Sequence, residues 1–259
     1  MNTRTALITG ASDGIGRELS RIMAREGWRL IIVARRQDRL EALAAELAPA
    51  EVRVIRCDLA VENAARTLVE TLGEDSGRID ALVNNAGLGN HDTFWESNPQ
   101  ILRSMLRVNI EALTELTRFL LPHMVARGSG FVVNIASVAS FQPGPLMAVY
   151  YATKAYVLSF TEALAVELKS TGVSATAVCP GPTQSGFQSV AGTDKAPGMS
   201  GSRIPDSRVV AEFAYRKMLR RKTVAVHGTA FRVLVFIERF LPRSLVARLV
   251  GRFQAVRST

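Results

Sequence analysis

The feature that most narrows what this chain can fold into is an alternation repeated along most of its length. Thr5 to Thr9 (TALIT) is a short apolar run, Gly10-Ala11-Ser12-Asp13-Gly14-Ile15-Gly16 is a glycine-rich turn, and Arg17 to Glu26 spaces its apolar residues as a helix does. The pattern then recurs. Arg29 to Val33 precedes a helix whose buried face is Leu40, Leu43, Ala44 and Leu47, with Asp38 and Glu41 placed as a capping box and Pro49 closing it. Val52 to Arg56 precedes helix Val61 to Leu72, and further apolar runs follow at Ile79 to Val83, Phe131 to Ile135, Val173 to Val178 and Thr223 to His227. Strands alternating with helices of this size imply one α/β domain over residues 1–228, a doubly wound parallel sheet of about seven strands with helices on both faces. Ligands of such a sheet gather at the carboxyl ends of its strands.

The turn after the first strand suggests one ligand. Glycines that open a helix let backbone N–H groups approach a pyrophosphate, where the helix dipole favours negative charge. Such glycines also occur in purely structural turns. The second strand adds to the case, because it ends in Ala34-Arg35-Arg36 with no carboxylate. An acidic residue there would hold a free ribose 2′-hydroxyl, whereas a guanidinium pairs with a 2′-phosphate, so the expected cofactor is NADP(H) in a Rossmann-type domain. The plainer reading is that Arg35 only solvates a strand end.

Farther along, Pro99 to Arg127 is helical but unusually long, with Asn109 in its middle, where a polar amide needs partners. Strand Phe131 to Ile135 leads to Ser137, and a loop with Pro143 and Pro145 delivers the chain to a helix from about Ala148 to Lys169. On that helix Tyr150 and Lys154 are four residues apart and share one face. A free phenol has a pKa of about 10, and a cation within roughly 4 to 6 Å favours the phenolate, which makes it usable for proton transfer at a carbonyl. A Tyr and a Lys at this spacing are also ordinary on an exposed helix.

Taken in order, these residues resemble the short-chain dehydrogenase/reductase family in its single-domain branch. The resemblance rests on TGASDGIG at 9–16, Asp58, NNAG at 84–87, Asn109, Ser137, YYATK at 150–154 and PG at 180–181, and covers roughly residues 5–187. More narrowly, ARR at 34–36, FQPGPLMAVYYATKAYVLSF and CPGPTQSGF look like a bacterial subgroup related to hydroxysteroid dehydrogenases and long-chain ketoacyl-CoA reductases. The resemblance implies that Tyr150 is the general acid in carbonyl reduction and the base in alcohol oxidation. Lys154 would hold the nicotinamide ribose and lower the Tyr150 pKa, Ser137 would bond the substrate oxygen, and Asn109 would anchor a water relaying protons to Lys154. Gly10, Ser12, Asp13, Ile15 and Gly16 would line the pyrophosphate and adenosine, and Asp58 and Leu59 the adenine. Asn85, Ala86 and Gly87 would meet the ribose side, and Pro180, Gly181 and Thr183 the nicotinamide end. Two departures bear on this: relatives that prefer NADP often carry a basic residue where this chain has Asp13, which leaves Arg35 and Arg36 to hold the phosphate, and Tyr150 is followed by a second tyrosine, Tyr151.

Net charge is +9 and the pI about 10.2, which admits nucleic acid, acidic membranes or anionic cofactors as partners. No nucleic-acid module or basic-aromatic interleaved stretch is present, so nucleic acid is not expected. Cys57 and Cys179 lie far apart and His91, His123 and His227 form no cluster, which argues against a metal or a disulfide framework. No export leader or spanning segment is read, and a cytoplasmic homo-oligomer is expected. Residues about 184–205, rich in Gly, Ser and Thr, read as a lid over the substrate or a passive connection. Residues 229–259 form a basic amphipathic helical extension: Phe231 to Ile237 and Phe240-Leu241 are apolar nearly all round, and Leu245, Val246, Leu249, Val250 and Phe253 face one way beside Arg243, Arg248 and Arg252. That extension can cover a substrate pocket or a subunit interface, lie peripherally on an anionic membrane, or stay a disordered tail. The expected activity is NADP(H)-dependent hydride transfer at a carbonyl or secondary alcohol of an apolar substrate, steroid-like or a long-chain acyl ketone. The alternative is a non-catalytic NADP(H)-binding sensor or scaffold, against which the intact Asn109, Ser137, Tyr150 and Lys154 count.

Overall fold

A computed structural model describes residues 3–192 and 204–255. Seven strands form one sheet in the order β3-β2-β1-β4-β5-β6-β7, every neighbouring pair parallel. They are β1 (Thr5–Thr9), β2 (Arg29–Ala34), β3 (Val52–Arg56), β4 (Ile79–Asn84), β5 (Gly130–Ile135), β6 (Val173–Cys179) and β7 (Val224–Val226). Strand order reverses between β1 and β4, and there the helices of the two halves splay to opposite faces and leave a crevice.

The core has two layers because successive strand residues point to opposite faces. Ala6, Ile8, Leu30 and Ile32 pack on one face with α1 (Gly14–Arg25), α2 (Gln37–Glu46) and, farther along the chain, α8 (Ser207–Leu219). Leu7, Ile31, Val33 and Leu82 pack on the other with α3 (Ala64–Leu72), α5 (Leu113–Ala126) and α6 (Ala148–Glu167). Trp28 is fully buried and donates its indole N–H to Tyr215 Oη at 3.2 Å, tying α8 to the start of β2.

Helix starts differ from the sequence reading in ways that capping explains. α1 begins at Gly14, inside the glycine turn, because Asp13 Oδ1 accepts from Gly14 N at 2.7 Å. α2 begins at Gln37 with Arg36 at its N-cap and no side-chain cap, so Asp38 falls in the first turn and Glu41 beyond it, and the pair is not the capping box expected. α3 starts at Ala64, after Asn63 takes left-handed φ 59° and ends the preceding turn. The long stretch is continuous but not uniform: α4 (Pro99–Leu106) and α5 are joined by a π-helical turn, Arg107–Ala112, which contains Asn109. Such turns concentrate at functional sites.

Residues 193–203 of the expected lid lie outside the described residues. Before them stands a short α7 (Phe187–Ala191), and after β7 come α9 (Thr229–Glu238) and α10 (Arg243–Gln254). No helix among the described residues is long and apolar enough to cross a membrane.

Candidate active site

One cleft of about 770 Å³ runs across the carboxyl ends of the strands, from Arg35 and Arg36 at one end to Phe231, Leu249 and Phe253 at the other. Tyr150 and Lys154 lie along it. Every site residue expected from the sequence lines this cleft except Gly16 and Asn109.

The nucleotide end is shaped by the absence of side chains. Gly10 has φ 65°, and a Cβ there would lie 2.8 Å from Asn85 Nδ2 and 2.9 Å from the Ala86 Cα. Gly16 serves packing and not the ligand surface: a Cβ on it would lie 2.3 Å from Asn85 Nδ2 and 2.5 Å from the Gly10 carbonyl oxygen. Asn85 Nδ2 donates to the carbonyls of Thr9 at 2.9 Å and Gly10 at 3.2 Å, while Thr9 Oγ1 accepts from the Asn85 and Ala86 amides. These bonds fix the β1 turn against the β4 turn and leave the start of α1 facing the cleft. At the end of β2, Arg36 donates to Ser12 Oγ at 3.1 Å and reaches Asp13 Oδ2 at 3.3 Å. Arg39, which the sequence reading passed over, also reaches Asp13 Oδ2 at 3.3 Å. Only the fold shows this, because Arg39 lies on the first turn of α2. The glycine turn, the start of α1, Asp58, Leu59 and the basic residues at the end of β2 thus line one stretch of the cleft, and that lining fits a nicotinamide dinucleotide.

Deeper in, Lys154 is buried on α6 and donates Nζ–H to the Ile135 carbonyl, the last of β5, at 2.7 Å. Its Nζ lies 5.9 Å from the Tyr150 ring centroid. Ser137, just past β5, accepts from Ala139 N at 3.1 Å and caps the turn Val138–Phe141. The Tyr150 pKa is pushed up to about 12, by burial first, then eased by a hydrogen bond with Ser137 and raised by Tyr151. Lys154 is pushed down to about 8 by burial. The expectation that Lys154 lowers the Tyr150 pKa is therefore not met by the protein alone. Desolvation penalises the charged form of both groups, and it outweighs their attraction across this distance. Tyr150 is consequently a neutral phenol near pH 7, able to donate a proton.

Asn109 is buried with its side chain committed. Oδ1 accepts from Leu88 N at 2.9 Å, and Nδ2 donates to Leu88 O at 2.9 Å and to Thr153 Oγ1 at 3.0 Å. Both amide hydrogens are in use, so the side chain acts as a clamp between the β4 turn and α6. A Cβ on Gly87 would meet Lys154 Nζ at 3.5 Å and Asn109 Oδ1 at 3.6 Å, ordinary contact distances, so Gly87 sits directly against both side chains. Tyr151 also lines the cleft, but its hydroxyl is committed, accepting from Gln254 Nε2 at 2.5 Å, and its ring packs with Ala139, Met147 and Val250.

The far end of the cleft is apolar. Phe187 of α7 sits 5.4 Å from the Tyr150 ring, and Phe231, Leu234, Val246 and Val250 bring α9 and α10 into the wall. α9 and α10 thus wall this end of the cleft.

A family model described as short chain dehydrogenase matches residues 4–196. The chain belongs to the short-chain dehydrogenase family. Among curated relatives, the ketoacyl reductase HetN of Nostoc sp. is 36% identical over 225 residues, which span 86% of this chain and 77% of that protein. Among solved structures, a short-chain dehydrogenase from Sphingobium yanoikuyae in complex with NADPH superposes with a TM-score of 0.82 at 33% identity, covering 92% of this chain and 94% of that one. A bulky-bulky ketone specific alcohol dehydrogenase from Comamonas testosteroni gives 0.79 at 30% identity, covering 93% of each. This short-chain dehydrogenase is thus an oxidoreductase acting with a nicotinamide cofactor on alcohol or carbonyl groups.

Proposed function

We propose that the protein is an NADP(H)-dependent oxidoreductase for ketones or secondary alcohols on an apolar skeleton. The observation that carries this is the continuity of the cleft, which passes from arginines at the ribose end, past Tyr150, to an apolar wall. The cofactor supplies or receives the hydride. The chain's own residues position the reactants and handle the proton. Ser137 holds the carbonyl oxygen, and Tyr150, neutral at pH 7, donates to that oxygen as charge develops on it. Lys154 fixes the cofactor ribose and, being cationic below about pH 8, stabilises negative charge on the phenol. Asn109 holds the helix turn and Thr153 in place behind Lys154. Phe187, Phe231 and Leu234 exclude water from the reacting carbon. NADP(H) is favoured over NAD(H) because Arg35 and Arg36 stand at the end of β2 with Ala34 in place of a carboxylate. Initial rates on a panel of aryl and long-chain alkyl ketones with NADPH and NADH test both parts. Turnover of apolar ketones with NADPH is expected, and a preference for NADH, or for small polar ketones, would overturn it.

We propose further that α9 rests on an anionic lipid surface. Val233, Phe236, Ile237 and Phe240 form an outward stripe, with Phe236 and Phe240 60% and 74% exposed. Between Thr229 and Gln254 the charged residues are Arg232, Arg239, Arg243, Arg248, Arg252 and a single acid, Glu238. An apolar stripe bordered by arginines matches negatively charged headgroups. Co-sedimentation is expected with vesicles containing phosphatidylglycerol, and loss of it in Phe236→Ser/Phe240→Ser. Equal binding to neutral vesicles, or a dimer in light scattering that the double variant disrupts, would overturn the placement.

A further inference from the structure

The inward face of α9 carries Phe231, Leu234 and Glu238, Leu241 follows three residues past its end, and all four line the cleft. Three are apolar and one is a carboxylic acid. Both oxygens of Glu238 are out of contact with solvent, and neither has a hydrogen-bond partner among the described residues. The neighbouring arginines do not serve it: Arg232 donates to Thr229 Oγ1 and Arg248 to the Ser244 carbonyl. A buried acceptor without a donor is destabilising, and more so if charged. Burial raises the Glu238 pKa, and its negative charge helps hold the Tyr151 phenol up. The acidic residues lining the rest of the cleft, Asp13 and Asp58, belong to the nucleotide end.

We propose that Glu238 selects the remote end of the substrate, accepting a hydrogen bond from a hydroxyl group carried on an otherwise apolar ketone. A hydroxyl fits better than an ammonium, because Phe231, Leu234, Leu241 and Val246 offer a desolvated cation no second polar contact. A carboxyl group accepts from a hydroxyl whether or not it is ionised. Glu238 already lines the cavity, and a change of rotamer is enough to turn its carboxyl group onto a ligand. The proposal rests on the reading of this cleft as a ketone and alcohol site.

The test is a homologous series of methyl ketones of increasing chain length, each with and without a terminal hydroxyl group. In the unaltered enzyme the hydroxyl is expected to raise kcat/KM by about tenfold or more at the chain length that spans from Tyr150 to Glu238, mainly through KM. Glu238→Ala and the apolar, similar-sized Glu238→Met should abolish that preference, the second serving if the first fails to fold. A preference absent at every length, or unchanged in both variants, would overturn the proposal. If no unsubstituted ketone is turned over with either coenzyme, the proposed activity fails. The same ligand pairs titrated calorimetrically then decide the role of Glu238, with tighter binding of the hydroxylated member lost in the variants as the supporting result and equal binding as the refuting one.

Discussion

Replacing Lys154 by methionine tests the electrostatics of the site without any substrate. The Lys154 pKa is pushed down to about 8 in the folded chain, against 10.5 for the free side chain. A lysine with a depressed folded pKa destabilises the fold fully below that folded value, because protonation there opposes burial. Between the two values the unfolded chain binds more protons than the native one, so stability rises with pH by about 1.4 kcal/mol per unit. The span of roughly 2.5 units gives about 3 kcal/mol in all. Methionine is similar in volume and removes the charge, but it also takes away the donor to the Ile135 carbonyl, a loss of about 1 kcal/mol. Lys154→Met should therefore be about 2 kcal/mol more stable than the unaltered protein below pH 8, with the advantage shrinking and reversing as pH approaches 10.5. Tyr150, raised to about 12, loses stability as pH rises above its unfolded value near 10, but in both proteins. It cancels in the comparison. Urea unfolding of the cofactor-free proteins at intervals from pH 6 to pH 10 measures the difference. A constant difference across that range would refute the claim that the ammonium is held at the expense of its hydration.

Tyr150→Phe should abolish turnover while the coenzyme still binds, whereas Tyr151→Phe should retain most activity and lose about 1 kcal/mol of stability with its bond to Gln254; substantial turnover in the first variant would displace Tyr150 as the acid. Arg35 is exposed at the end of β2, so Arg35→Ala should raise KM for NADPH about tenfold and leave NADH almost unchanged; equal shifts for the two coenzymes would show that no 2′-phosphate is held there. A Cβ on Gly181 would fall 2.3 Å from the Phe231 ring. Gly181→Ala should thus push Phe231 and α9 outward and raise substrate KM several-fold, with Phe231→Ala in the same chain restoring it; no change in KM on adding the methyl group would refute the contact.

The sheet was legible because each strand carries its own evidence. Continuous apolar runs such as TALIT and RLIIV can be buried only on both faces, and their alternation with helices leaves a parallel sheet as the arrangement that covers them. The polar motif residues were legible for a related reason: glycines that admit a backbone, and a Tyr–Lys pair on one helix face, are local in spacing. Less local features escaped. The start of α2 depended on how β2 ends at Arg36, and the role of Asn109 depended on Leu88 and Thr153, which come from two other elements.

What the sequence by itself determined is the order of strands and helices along the chain, and the strand ends at which a ligand would gather, since periodicity and turn chemistry act over a few residues. Tertiary structure decided the rest, because contacts and desolvation depend on which distant residues meet. It joined Arg39 to Asp13, brought α9 and α10 against the substrate end, and raised the Tyr150 pKa where the spacing to Lys154 alone argued for lowering it. Burial is a property of the packed whole, and no pattern of neighbours along the chain encodes it.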